Sequence, residues 1–145
     1  MINKYFVLSD IHSYFDQMQE ALASAGFDIN NDNHVIIICG DIFDRGPKSI
    51  ELYEWLKDLP ESRLILVQGN HELLYFSLLE KDYPDKHDFS NGTVRTFCSL
   101  AGVDYMDMDS HTIYYKLQME GKNVTSTEVT LKLKDTWRKI IKAVR

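Results

Sequence analysis

Three short polar clusters carry the side chains able to do chemistry in this chain of 145 residues. They are Asp10-Ile11-His12, Gly40-Asp41-Ile42-Phe43-Asp44-Arg45-Gly46 and Gly69-Asn70-His71-Glu72. Carboxylates, imidazoles and an amide oxygen gathered in one place suit a divalent transition metal. A single cluster of this kind is ordinary turn chemistry, since Asp, Asn and Gly are common in turns. Three in phase, each directly after an apolar run, point instead to one shared site.

The apolar runs are Tyr5-Phe6-Val7-Leu8, Val35-Ile36-Ile37-Ile38-Cys39 and Leu64-Ile65-Leu66-Val67. Each is short, continuous and rich in β-branched residues, the pattern of a strand buried on both faces. Roughly 30 residues separate one cluster from the next, the length of a strand–helix–strand unit. In an open parallel sheet the carboxyl ends of the strands line one crevice. The expected fold is therefore α/β, a parallel βαβαβ core followed by helices.

Residues 15–24 read as the first helix, with Gly26 as its stop. Pro47 reads as the start of a second helix running through Ile50, Tyr53, Trp55 and Leu56 to about Leu59. A third spans His71 to Leu79. Residues 82–88 read as a charged loop, Val94 to Ala101 as a short helix ended by Gly102, and 104–111 as irregular. Thr125 and Glu128 form a capping-box pattern. It opens a helix with Leu133, Trp137, Ile140, Ile141 and Val144 on one face and basic residues on the other, read as a surface helix docked on the domain.

A hydrophobic fraction of 44% supports a real core. The net charge of −6 argues against a nucleic-acid partner. No run reaches the ~20 apolar residues of a membrane span, and the N-terminus lacks a signal-peptide pattern. Cys39 and Cys98 read as reduced core thiols. The expected location is the cytoplasm.

The set D-x-H, G-D-x-x-D-R-G and G-N-H-E resembles the calcineurin-like metallophosphoesterase superfamily. Its D-R-G and G-N-H-E forms are similar to the phosphoprotein phosphatase branch. That branch holds serine/threonine phosphatases of phages and bacteria as well as bis-nucleoside tetraphosphatases. Ser90-Asn91-Gly92-Thr93-x-x-Thr96 is similar to an N-G-rich stretch of its phage and bacterial members. The resemblance implies two divalent metal ions, manganese first, with iron or zinc as alternatives. Asp10 and His12 would bind the first, Asp41 would bridge both, and Asn70 would begin the second site. A metal-activated hydroxide would attack phosphorus in line. Arg45 would clamp phosphate oxygens. His71 would protonate the leaving oxygen, with Asp44 accepting its other N–H. Glu72 would orient a neighbour rather than bind metal. The implied activity is hydrolysis of phosphate monoesters on phosphoserine or phosphothreonine. A bis-nucleoside tetraphosphate is the alternative substrate, and an inactive binding module the remaining reading.

The family supplies two further histidines, each after a strand, from its C-terminal half. After His71 this chain has only His87 and His111, neither in that context, and both read as surface residues. His34, at the amino end of its strand, reads the same way. Gly40, Gly46 and Gly69 read as turn formers without chemistry. The expectation is one metallophosphoesterase domain, 1–145, lacking its C-terminal part and with an incomplete second sheet. Such a chain should bind its second metal poorly, be weakly active or inactive, and self-associate through the uncovered sheet or need a partner segment.

Overall fold

The computed structural model describes residues 2–81, 84–102, 112, 135 and 138. Three strands form a parallel sheet in the order β1 (Lys4–Leu8), β2 (His34–Cys39), β3 (Leu64–Val67). Phe6 lies beside Ile36, and Ile36 beside Leu64; Ile38 lies beside Leu66. These side chains point to one face, because alternate residues of a strand share a face. All five are buried in the core. Helices α1 (Phe15–Ser24) and α2 (Ser49–Asp58) connect the strands. They add Met18, Leu22, Leu52 and Leu56 to the same core. Helix α3 (Asn70–Leu79) follows β3 directly, then α4 (Lys86–Ser90) and α5 (Thr93–Leu100). Phe97, Cys98 and Leu100 of α5 are buried among them. Among the described residues no helix is long and apolar enough to cross a membrane.

Five local readings need correction. The strands are not buried on both faces: Tyr5 and Val7 on edge strand β1 are 55% and 63% exposed, and Val67 on edge strand β3 is 39% exposed. Cys39 is exposed for the same reason, lying beside Val67 on that second face; Cys98 is the buried thiol. Helix α2 begins at Ser49, not Pro47. Gly46 N–H donates to the His12 carbonyl and Lys48 N–H to the Ser13 carbonyl. The chain is thus tied to the first loop until Lys48 releases it. Within the expected loop 82–88, Asp85 caps the short helix α4 by accepting from the His87 and Asp88 N–H groups.

His34 is half-buried rather than a free surface residue, with its ring centroid 5.0 Å from Phe6 and 6.0 Å from Phe27. His87 is exposed on α4. The expectations for 104–111, His111 and Trp137 lie outside the described residues.

Candidate metal centre

The three polar clusters do follow the carboxyl ends of the three strands, and backbone bonds stack the loops on one another. Asp10 N–H donates to the Gly40 carbonyl at 3.3 Å, His12 N–H to Asp41 at 3.0 Å and Ser13 N–H to Ile42 at 2.9 Å. Gly40 has φ +84°, and a Cβ there would meet the Gly69 backbone at 2.6 Å, so only glycine lets the second and third loops approach this closely. Glu72, fully buried, joins the same two loops. Its Oε2 accepts from Gly69 N–H at 2.7 Å and Asp41 N–H at 2.9 Å, and its Oε1 from Ile42 N–H at 2.8 Å. The expected role of Glu72 as an orienting residue thus has a concrete form.

Six non-glycine residues in these loops have left-handed backbone: Asp10, His12, Ser13, Asp41, Asp44 and Arg45. Such conformations are sterically costly for side-chain-bearing residues and cluster at functional sites.

The side chains converge on His71. His12 Nδ1 donates to the Phe43 carbonyl at 2.9 Å, which leaves Nε2 as the lone-pair nitrogen of the neutral ring. The His12 and His71 rings meet edge to face with centroids 4.7 Å apart. Asp41 Oδ1 accepts the His71 backbone N–H at 3.0 Å, in the first turn of α3, where the helix end is positive. Ligand atoms of His12, Asp41 and His71 all lie within 4.8 Å of one another. Two imidazoles and a carboxylate are a donor set that fits a divalent transition metal.

His71 Nδ1 donates to Asp44 Oδ2 at 2.7 Å, and Arg45 donates to His71 Nε2 at 3.3 Å. The hydrogen bond to Asp44 raises the His71 pKa above its ordinary value, against burial, which lowers it.

Of the seven residues singled out in the sequence, His12, Asp41, Asp44, Arg45 and His71 form one contact network. Asp10 stands at its rim, two-thirds exposed, with Oδ1 4.0 Å from His12 Nε2 and Oδ2 hydrogen-bonded to Ser9 Oγ. Asn70 is exposed at the first position of α3, next to His71. Among the histidines and carboxylates, the donor group therefore contains His71 and not Asp10.

Sequence reasoning missed Thr93 and Thr96. Both hydroxyls donate to the Asp44 carboxylate, at 2.9 Å and 2.6 Å. The only signal for them was the N-G-T-x-x-T stretch.

A model of the calcineurin-like phosphoesterase family matches residues 4–142. The symmetrical bis(5'-nucleosyl)-tetraphosphatase of Psychromonas ingrahamii is 36% identical over 81 residues, covering 56% of this chain and 28% of that protein. The asymmetrical bis(5'-nucleosyl)-tetraphosphatase of Bacillus subtilis is 35% identical over 74 residues, covering 46% and 30%. A solved metallophosphoesterase from Sphaerobacter thermophilus superposes with a TM-score of 0.45 at 20% identity, over 79% of this chain and 40% of that one. The matched part spans less than a third of these two curated relatives.

Proposed function

The chain belongs to the calcineurin-like phosphoesterase family, and from that membership we propose that its site hydrolyses a phosphate bond of a nucleoside polyphosphate with divalent metal ions. The observation that carries the reading is the convergence of His12, Asp41 and His71 within 4.8 Å, with Asp44 and Arg45 attached to His71. Asp10, His12, Asp41 and Asn70 would hold the ions, of which manganese is the first choice. Bound there, divalent cations supply Lewis acidity that activates water and offsets phosphate charge. Arg45 binds the phosphate oxygens with its fork. Asp44 accepts a hydrogen bond from the Nδ1–H of His71, so a second proton, when present, sits on Nε2 and faces the site. From Nε2 it passes to the leaving oxygen.

The nucleotide class rests on the relatives: both tetraphosphatases above are named for nucleotide substrates. The phosphoserine and phosphothreonine reading rests on motifs that both groups share, so it yields to the nucleotide. The test combines Mn2+ equilibrium dialysis with hydrolysis of diadenosine tetraphosphate. At least one ion should bind per chain, and binding should be lost in His12→Ala and Asp41→Asn. Hydrolysis should stop with EDTA. A wild-type chain that binds no divalent cation overturns the reading. Preferential cleavage of a phosphopeptide would return the substrate class to phosphoproteins.

A further inference from the structure

Helix α5 reaches the site without offering it a ligand. Its N-cap residue Gly92 has φ +88°, and a Cβ there would meet Arg45 N at 2.7 Å. The glycine thus lets the first turn of α5 press against the Asp44–Arg45 backbone. From that turn Thr96 Oγ closes a ring with Asp44: it accepts the Asp44 N–H at 3.1 Å and donates to Asp44 Oδ1 at 2.6 Å. The carbonyl of Gly92, at 3.4 Å, is the poorer acceptor for that hydroxyl. Thr93 Oγ donates to Asp44 Oδ2 at 2.9 Å, the same oxygen that receives His71 Nδ1 at 2.7 Å. Asp44, Thr93 and Thr96 are all buried. Asp44 also has φ +73°, a conformation an aspartate holds only when its surroundings fix it.

We propose that Thr93 and Thr96 are positioning residues that lock the Asp44 carboxylate and so hold His71 with its proton on Nδ1 and its Nε2 facing the site. With Oδ1 tied to Thr96, the carboxylate cannot turn, and Oδ2 stays aimed at His71. A carboxylate free to turn would let the imidazole rotate or place its proton on Nε2. The inference rests on the proposed role of His71 in proton delivery, but the tautomer it predicts does not require turnover.

The test is long-range 1H–15N NMR of the His71 ring in the metal-free chain, beside Mn2+-dependent hydrolysis of diadenosine tetraphosphate. In the wild type, Nδ1 should be the protonated nitrogen of the neutral ring. In Thr93→Val/Thr96→Val, checked for folding by circular dichroism, the Nε2-protonated form should appear. The kcat should fall about 10–100-fold, the scale for losing a supporting hydrogen bond, while KM stays within about twofold. Thr96→Ser keeps the hydroxyl and should keep the wild-type tautomer. Should the double variant not fold, Thr96→Val alone carries the same readout, since it removes the Oδ1 bond that keeps the carboxylate from turning. A folded Thr→Val variant with an unchanged tautomer overturns the inference, whatever its activity. A wild-type chain with the expected tautomer but no hydrolysis counts against the proposed function and leaves this positioning in place.

Discussion

Glu72→Gln is the sharpest single perturbation, because three backbone N–H groups from two loops depend on one buried carboxylate. Oε2 receives two of them and Oε1 the third. Glutamine has one oxygen. Placed at the Oε2 position, it keeps the Gly69 and Asp41 bonds and turns its NH2 against the Ile42 N–H. Placed the other way, it keeps only one bond. The smaller loss is thus one charge-assisted bond together with a buried donor left unsatisfied, about 2–4 kcal/mol in all. That is a large share of the ~5–15 kcal/mol that holds a domain of ordinary stability together. At about 3–5 °C per kcal/mol for a domain of this size, the melting temperature should drop by roughly 10 °C. Urea unfolding followed by circular dichroism measures the difference directly. Mn2+ affinity should weaken as well, since the Asp41 N–H is one of the three groups. A folded Glu72→Gln chain within about 0.5 kcal/mol of wild type, the range of neutral surface changes, would refute this account of how the loops are joined.

The other expectations are briefer. His71→Asn should keep the fold and lower metal-dependent hydrolysis by ~10²–10⁴-fold; an unchanged rate removes His71 from proton transfer. Phe97→Ala, at a fully buried position of α5, should cost about 3–5 kcal/mol in a denaturant melt, and a cost under about 1 kcal/mol would show that α5 is not part of the core. The Asp85 carboxyl, held below its ordinary 3.8 first by the Lys81 hydrogen bond, stabilises the α4 cap fully above 3.8 and loses that effect as pH falls through its lower folded value. Amide exchange at His87 and Asp88 should therefore quicken below pH 3.8 before exchange in α5 does, and simultaneous loss would contradict the cap.

The sheet was legible because its three runs are contiguous and β-branched, and because each ends in a polar cluster. Their one-sided burial was not, since alternation is invisible in a run such as Val35-Ile36-Ile37-Ile38, where every residue is apolar. Helix α1 could be read to the residue from its periodicity. Helix α4 could not, being five residues long and stabilised by a cap rather than an apolar face. At the site, the residues of the contact network, His12, Asp41, Asp44, Arg45 and His71, were legible from motif and position. The threonines that hold Asp44 lie 49 and 52 residues beyond it, and no local spacing reports a partner so distant. The placement of His71 with His12 and Asp41 depends on side-chain direction at the start of α3. Sequence order alone does not fix that.

The left-handed residues of the first two loops also bear on how such a chain changes under drift. Arg45, at φ +65°, and Asp44, at φ +73°, each hold a backbone conformation that glycine would adopt freely. A glycine at position 45 would relieve roughly 1 kcal/mol or more of local strain while deleting the guanidinium. For a lineage under selection for hydrolysis that exchange is lethal to function; for one released from it, the exchange improves folding. The loops therefore sit on a slope, with stability pulling away from the residues proposed to do the chemistry.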